Sequence, residues 1–298
     1  MASPDPIQGI RGRMADLGEG TAVRRLLPTR GRRLVGPWCF LDHYGPDEVR
    51  GPGMSVGPHP HIGIQTVSWL VEGEVLHRDS LGSEQLIRPG QLNLMTSGRG
   101  IAHSEETPSP RSPRLHGVQL WVALPEEARH EDPAFQHVEA LPEAGFGPVK
   151  ATVLMGALGG EASPAKAYSS IVGAELLASR EGPASIPLDP AFEHALALVG
   201  GRAALRGMPL EIGVIYPLAP GAVSLDLHAE QGARLMLLGG APFPEPILMW
   251  WNFVGRTPEE VAEARTDWEQ GRRFGPVPSP LPRIPAPALD PAMLRLRR

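Results

Sequence analysis

Two histidines one residue apart, His59 and His61 in "VGPHPHIGIQTVSWLVEG", are matched further along by His103 and Glu105 in "TSGRGIAHSEET". On a β-strand, side chains at i and i+2 leave by the same face, so each pair can address one point in space. Two such pairs on neighbouring strands offer three imidazoles and a carboxylate, with imidazole nitrogens able to sit about 2.1 Å from one ion. This nitrogen and oxygen donor set, with no thiolate, suits Fe(II), Mn, Co, Ni or Cu and leaves Zn open. Pro60 between the first two rings points the other way, and its missing N–H is tolerable at a strand start or edge. Ten histidines in 298 residues make one H-x-H weak by itself; the two pairs together make metal ligation the expectation.

Other chemistry-bearing stretches carry less. "HRDSLGSEQ", from His77 to Gln85, has the look of a kinase catalytic loop, but no Gly-rich nucleotide loop, V-A-I-K or D-F-G accompanies it. "LGEGTAV" lacks the third glycine and the following helix of a dinucleotide fingerprint. His130, Glu131 and Asp132 sit in a charged stretch and are expected to be solvated. Cys39, between Trp38 and Phe40, is expected in a core, with nothing beside it to activate the thiol. His43 and His116 stand as either pocket groups or buried, satisfied histidines.

The elements that must hold these residues are short. Thirty-five glycines and 34 prolines are spread along the chain, and brief apolar runs such as "IQTVSWLVEGEVLH", "RLHGVQLWVALP" and "ARLMLLGGAPF" lie between them. Many short strands joined by tight turns are the reading. A charged, proline-containing stretch, residues 125–147, interrupts the rhythm. The expected organisation is a metal-binding barrel over 1–133, a linker over 134–147, a second barrel over 148–275 and a proline-rich, extended or disordered tail over 276–298. Helical period enters only at "RTPEEVAEARTDWEQ", with Thr257 at the N-cap, Pro258 in the first turn, Glu260 completing a capping box, and Val261, Ala264 and Trp268 on one face.

A net charge of −5 and the absence of a basic stripe argue against direct nucleic-acid binding. The basic end "MLRLRR" reads as a solvated tail. No apolar run reaches the roughly 20 residues of a membrane-spanning helix. One cysteine and no apolar leader make a cytoplasmic monomer the expectation.

"GPWCFLDHYGP", "HPHIGIQTVSWLVEGEVLHRDSLGS", "IRPGQLNLMTSGRGIAHSEE" and "LHGVQLWVALP", in this order, resemble the N-terminal domain of the pirin family. "EPILMWWNFVGRTPEEVAEARTDWEQGRRFG" resembles the end of its C-terminal domain. The resemblance implies an all-β bicupin, two cupin-type jelly-roll barrels in tandem with a short C-terminal helix, and a metal only in the first barrel. It also implies that iron is held by His59, His61, His103 and Glu105. Gln65 stands where general cupins carry a ligand glutamate, so the carboxylate must come from Glu105; His194 and His228 in the second barrel form no H-x-H. Some pirin-like proteins open the ring of quercetin with O2 and release carbon monoxide; others are iron-dependent regulators that bind a protein partner. The expectation for this chain is a quercetin 2,3-dioxygenase-like oxidoreductase acting on an aromatic substrate and O2. Glu105 would double as ligand and general base, and Trp69, Leu94, Met95 and Trp121 are pocket candidates. The alternative is the non-catalytic regulator.

Overall fold

The computed structural model describes residues 7–17, 21–49, 53–290 and 294. The chain divides into two compact units, one made of Met1–Arg13, Arg24–Leu41 and Ala140–Phe243, the other of Met14–Val23, Asp42–Glu139 and Pro244–Arg298. Each is a β-sandwich of cupin type, and the alternation of short apolar runs with Gly-Pro turns is what forces strands rather than helices.

The unit that carries the histidine pairs is built from β1 (Ser55–His61), β2 (Ile64–Glu72), β3 (Val75–Asp79), β4 (Glu84–Ile87), β5 (Leu92–Thr96), β6 (Ile101–Glu106), β7 (Arg114–Ala123) and β8 (Ala134–Val138). One sheet runs β1-β6-β3-β4; the other runs β8-β5-β2-β7 and continues through Trp38–Glu48 and Thr21–Leu27 to Arg13–Leu17. Gly63 makes the sharp corner between β1 and β2. Its φ of 69° and the carbonyl oxygen of Val254, which would lie 2.0 Å from any Cβ there, admit only glycine.

In the other unit, the long sheet centred on Ile171–Ala178, Arg234–Gly240 and Glu193–Gly200 faces a four-stranded one. Valine, leucine and alanine from both fill the interior, among them Val153, Leu176, Leu196, Leu227 and Leu235. His194 is buried on one strand, while His228 is exposed and faces Glu181 at 3.4 Å. No second metal-binding group forms among the described residues.

The division differs from a simple cut at the middle of the chain. Arg24–Leu41 belongs with the C-terminal strands, where the indole N–H of Trp38 is held between the carbonyl oxygens of Val172 (3.0 Å) and Gly239 (3.1 Å). Conversely, Pro244–Arg298 belongs with the N-terminal strands. The stretch expected to be linker is also built in: β8 pairs with β5, and Glu143–Phe146 pairs with Val149–Leu158.

The one helix among the described residues, α1 (Pro258–Glu269), has the expected capping box between Thr257 and Glu260 and buries Val261, Ala264 and Trp268. The proline-rich segment after it is extended but pinned. Ile284 N–H donates to the Pro58 carbonyl of β1 (2.9 Å), the Trp268 indole donates to the Ile284 carbonyl (2.9 Å), and Ala286 is buried in the same cluster. The basic end lies outside the described residues apart from Leu294, which packs on that cluster. Thr257→Ala removes one half of the box and should lower stability by about 1 kcal/mol, measured by urea unfolding.

Candidate metal centre

Three adjacent strands present the polar groups. In the β1-β6 register His59 lies opposite His103 and His61 opposite Ile101. In the β6-β3 register His103 lies opposite Asp79 and Glu105 opposite His77. A bulge falls between the His103 and Glu105 pairings, beside Gly57 of β1, so the ladder is locally re-aimed where these side chains meet. His59, His61 and His103 offer ligand nitrogens that all lie within 4.8 Å of one another, and all three are buried. Glu105 is not in that set. Its carboxylate turns toward Ser68 of β2, whose hydroxyl lies 3.4 Å from Glu105 Oε1 and 2.9 Å from Gln119 Oε1.

Hydrogen bonds fix which nitrogen each ring presents. His59 Nδ1 donates to the Gly57 carbonyl (2.9 Å) and His61 Nδ1 to the Asn252 carbonyl (3.1 Å), because a carbonyl oxygen can only accept. Both rings therefore turn an unprotonated Nε2 inward. For His103 the order runs through its neighbours: His77 Nε2 donates to Asp79 Oδ2 (3.1 Å), and when the His77 ring is neutral its Nδ1 accepts from His103 Nδ1 at 3.4 Å. His103 Nε2 is then a lone pair as well, and it faces His61 Nε2 at 3.1 Å. In this tautomer the two Nε2 lone pairs face each other, an arrangement that a cation between them converts into ligation. Three buried imidazole nitrogens within 4.8 Å of one another fit a divalent metal.

The electrostatics agree. Burial lowers His59 to about 4 and holds His61 and His103 well below the usual 6.5, with the neighbouring imidazoles adding to the effect. All three are neutral at pH 7, the form that can ligate a metal. Burial acts oppositely on Glu105, raising its carboxyl to about 7 against the Ser68 hydrogen bond. The imidazoles stay neutral in the fold where the unfolded chain takes up protons, so the metal-free protein should lose stability as pH falls from 6.5 toward about 4. Glu105 has the reverse sign, gaining stability as pH falls from about 7 toward 4.5. Three rings against one carboxyl decide a net loss, to be read from urea midpoints at pH 7.5 and 5.

The facing sheet closes the site. The registers of β2, β5, β7 and β8 put Thr66, Met95, Trp121 and Phe135 in one row, and Ser68, Asn93, Gln119 and His137 in the next. The Trp121 ring meets His61 edge-on at 5.2 Å, and Phe135 stacks on His77 at 4.5 Å. Of the four pocket candidates, Met95 and Trp121 share this face. Trp69 and Leu94 sit at alternate positions and point to the other side of the sheet, as does Gln65, whose amide donates to Thr96 Oγ1 (3.0 Å). His43 and His116 pair with each other at 3.0 Å rather than joining the cluster. Cys39 is buried as expected. His77, Asp79 and Ser68 also reach this site, and H-x-D repeats the i, i+2 spacing of His59/His61 and His103/Glu105.

Two cupin-type barrels, one with a buried three-histidine cluster and one filled with apolar side chains, define a bicupin with a single candidate metal centre among the described residues. The chain belongs to the pirin family: residues 20–122 match pirin and residues 174–275 the pirin C-terminal cupin domain. It is 46% identical over 286 residues, 95% of this chain and 90% of the other, to a Pseudomonas aeruginosa protein provisionally named quercetin 2,3-dioxygenase. A pirin-like protein of Caulobacter vibrioides is 38% identical over 87% of this chain and 92% of its own. The crystal structure of a quercetin 2,3-dioxygenase from Acinetobacter baumannii superposes with a TM-score of 0.94 at 42% identity, covering 97% of each chain.

Proposed function

We propose that this protein is a metal-dependent dioxygenase that opens a flavonol such as quercetin with O2 and releases carbon monoxide. The observation that carries the reading is the conjunction of three neutral imidazoles facing one point with a buried carboxyl, raised to about 7, on the strand of His103. The names of the Pseudomonas and Acinetobacter relatives support the substrate class. His59, His61 and His103 would hold the ion, with Glu105 as the fourth ligand. The ion, Fe(II) first and Mn, Co, Ni, Cu or Zn as alternatives, would supply a Lewis-acidic position for the substrate oxygen and, for every metal named but Zn, redox capacity toward O2.

Glu105 takes the proton of the flavonol 3-hydroxyl. Burial raises this carboxyl in the metal-free site, which favours its taking up a proton there. Ser68 orients it, with Gln119 behind Ser68. Met95, Trp121 and Phe135 give the apolar wall that excludes water.

One observation favours the non-catalytic regulator: the three ligand imidazoles are no more than 6% exposed, and the 480 Å³ cavity lined by Tyr44, Val49, Met54 and Leu115 in this unit borders none of them. The test is anaerobic loading with Fe(II), then quercetin and air with carbon monoxide detection, beside His61→Ala. Carbon monoxide from wild type alone supports the dioxygenase. None above the variant, with iron stoichiometrically bound in wild type, overturns it in favour of the regulator.

A further inference from the structure

We propose that His77 and Asp79 form a hydrogen-bonded relay behind His103 that fixes the tautomer of this ligand and strengthens it relative to His59 and His61. The inference rests on the metal-binding reading above and concerns residues outside the ligand set. The three imidazoles are supported unequally. His59 and His61 each lean on a neutral backbone carbonyl, whereas His103 leans on an imidazole that itself leans on a carboxylate.

The relay is built rigidly. Asp79 is fully buried, and its two oxygens have separate tasks: Oδ1 accepts from the N–H groups of Leu81 (2.9 Å) and Ser83 (3.0 Å), while Oδ2 faces His77. Burial alone would raise this carboxyl, but the hydrogen bonds from His77 and Ser83 outweigh it and keep the group ionised. The His77 ring is clamped parallel to Phe135, 15° between planes, so its Nδ1 stays on His103. A negative charge relayed through an imidazole makes His77 Nδ1 a stronger acceptor for the His103 Nδ1–H, and His103 Nε2 a better electron-pair donor. His77 and Asp79 are thus positioning residues, acting on the metal through His103.

The test titrates metal-free protein anaerobically with Co(II) alone, following affinity and the visible spectrum, in wild type, His77→Phe, His77→Gln and Asp79→Asn. His77→Phe keeps an aromatic ring against Phe135 but cannot accept from His103; affinity should fall about 10- to 100-fold with the ligand-field bands shifted. His77→Gln retains an acceptor oxygen and should recover part of the loss. Asp79→Asn, which preserves the turn contacts of Oδ1, should weaken binding in the same direction and covers the case in which His77→Phe fails to fold. Affinity and spectra like wild type in folded His77→Phe and Asp79→Asn would overturn the relay, as would His77→Gln no better than His77→Phe. A wild type that takes up no Co(II) would overturn the relay together with the metal-binding reading.

Discussion

His61→Ala is expected to remain folded and to lose its metal. The ring supplies one of the two facing Nε2 atoms, so its removal takes away both a ligand and the repulsion that calls for a cation. Affinity should fall by more than the roughly 10- to 100-fold associated with losing a supporting residue. The fold has less at stake. The Asn252 carbonyl loses its donor, a cost of about 1–3 kcal/mol, set against relief of the lone-pair contact. Metal at 100 times its dissociation constant should stabilise wild type by about 2.7 kcal/mol and leave the variant unmoved. Thermal or urea unfolding with and without metal checks both statements.

Glu105→Gln is expected to separate holding the metal from the chemistry. Glu105 lies outside the cluster of converging nitrogens, so its loss should weaken metal binding less than His61→Ala does. Turnover at saturating metal should nevertheless fall about 10²- to 10⁴-fold, the usual range for losing a positioned base. The pH profile gives the sign. A carboxyl accepts a proton only when ionised, so wild-type turnover should rise with pH along an acid limb that belongs to Glu105. In Glu105→Gln that limb should vanish. If the variant keeps both its rate and its limb, the base is another group.

Much of the centre was legible in the sequence because a period of two is local: His59-Pro60-His61 and His103-Ser104-Glu105 point to one face on any strand. The capping box of α1 was legible for the same reason, since all its members lie within one turn. What escaped depends on long-range register. His77-Arg78-Asp79 has the same spacing as the ligand pairs, but only the β6-β3 pairing puts it behind His103. Trp69 and Trp121 look equally apt as pocket residues, and strand alternation sends them to opposite faces. The exchange of segments between the units is likewise invisible locally. Nothing near Trp38 announces that its indole will bond to Val172 and Gly239, and nothing in the prolines after α1 announces Ile284 on Pro58.

The central claim is that three neutral, buried imidazoles face one point and take up a divalent ion there. Anaerobic calorimetric titration of metal-free protein with Fe(II) at pH 7.5, in two buffers of different ionisation enthalpy, tests it most directly. With the imidazoles already unprotonated and only Glu105 titrating near 7, the account predicts one ion per chain and fewer than one proton released. No uptake, or the release of two or more protons for each ion bound, would contradict it.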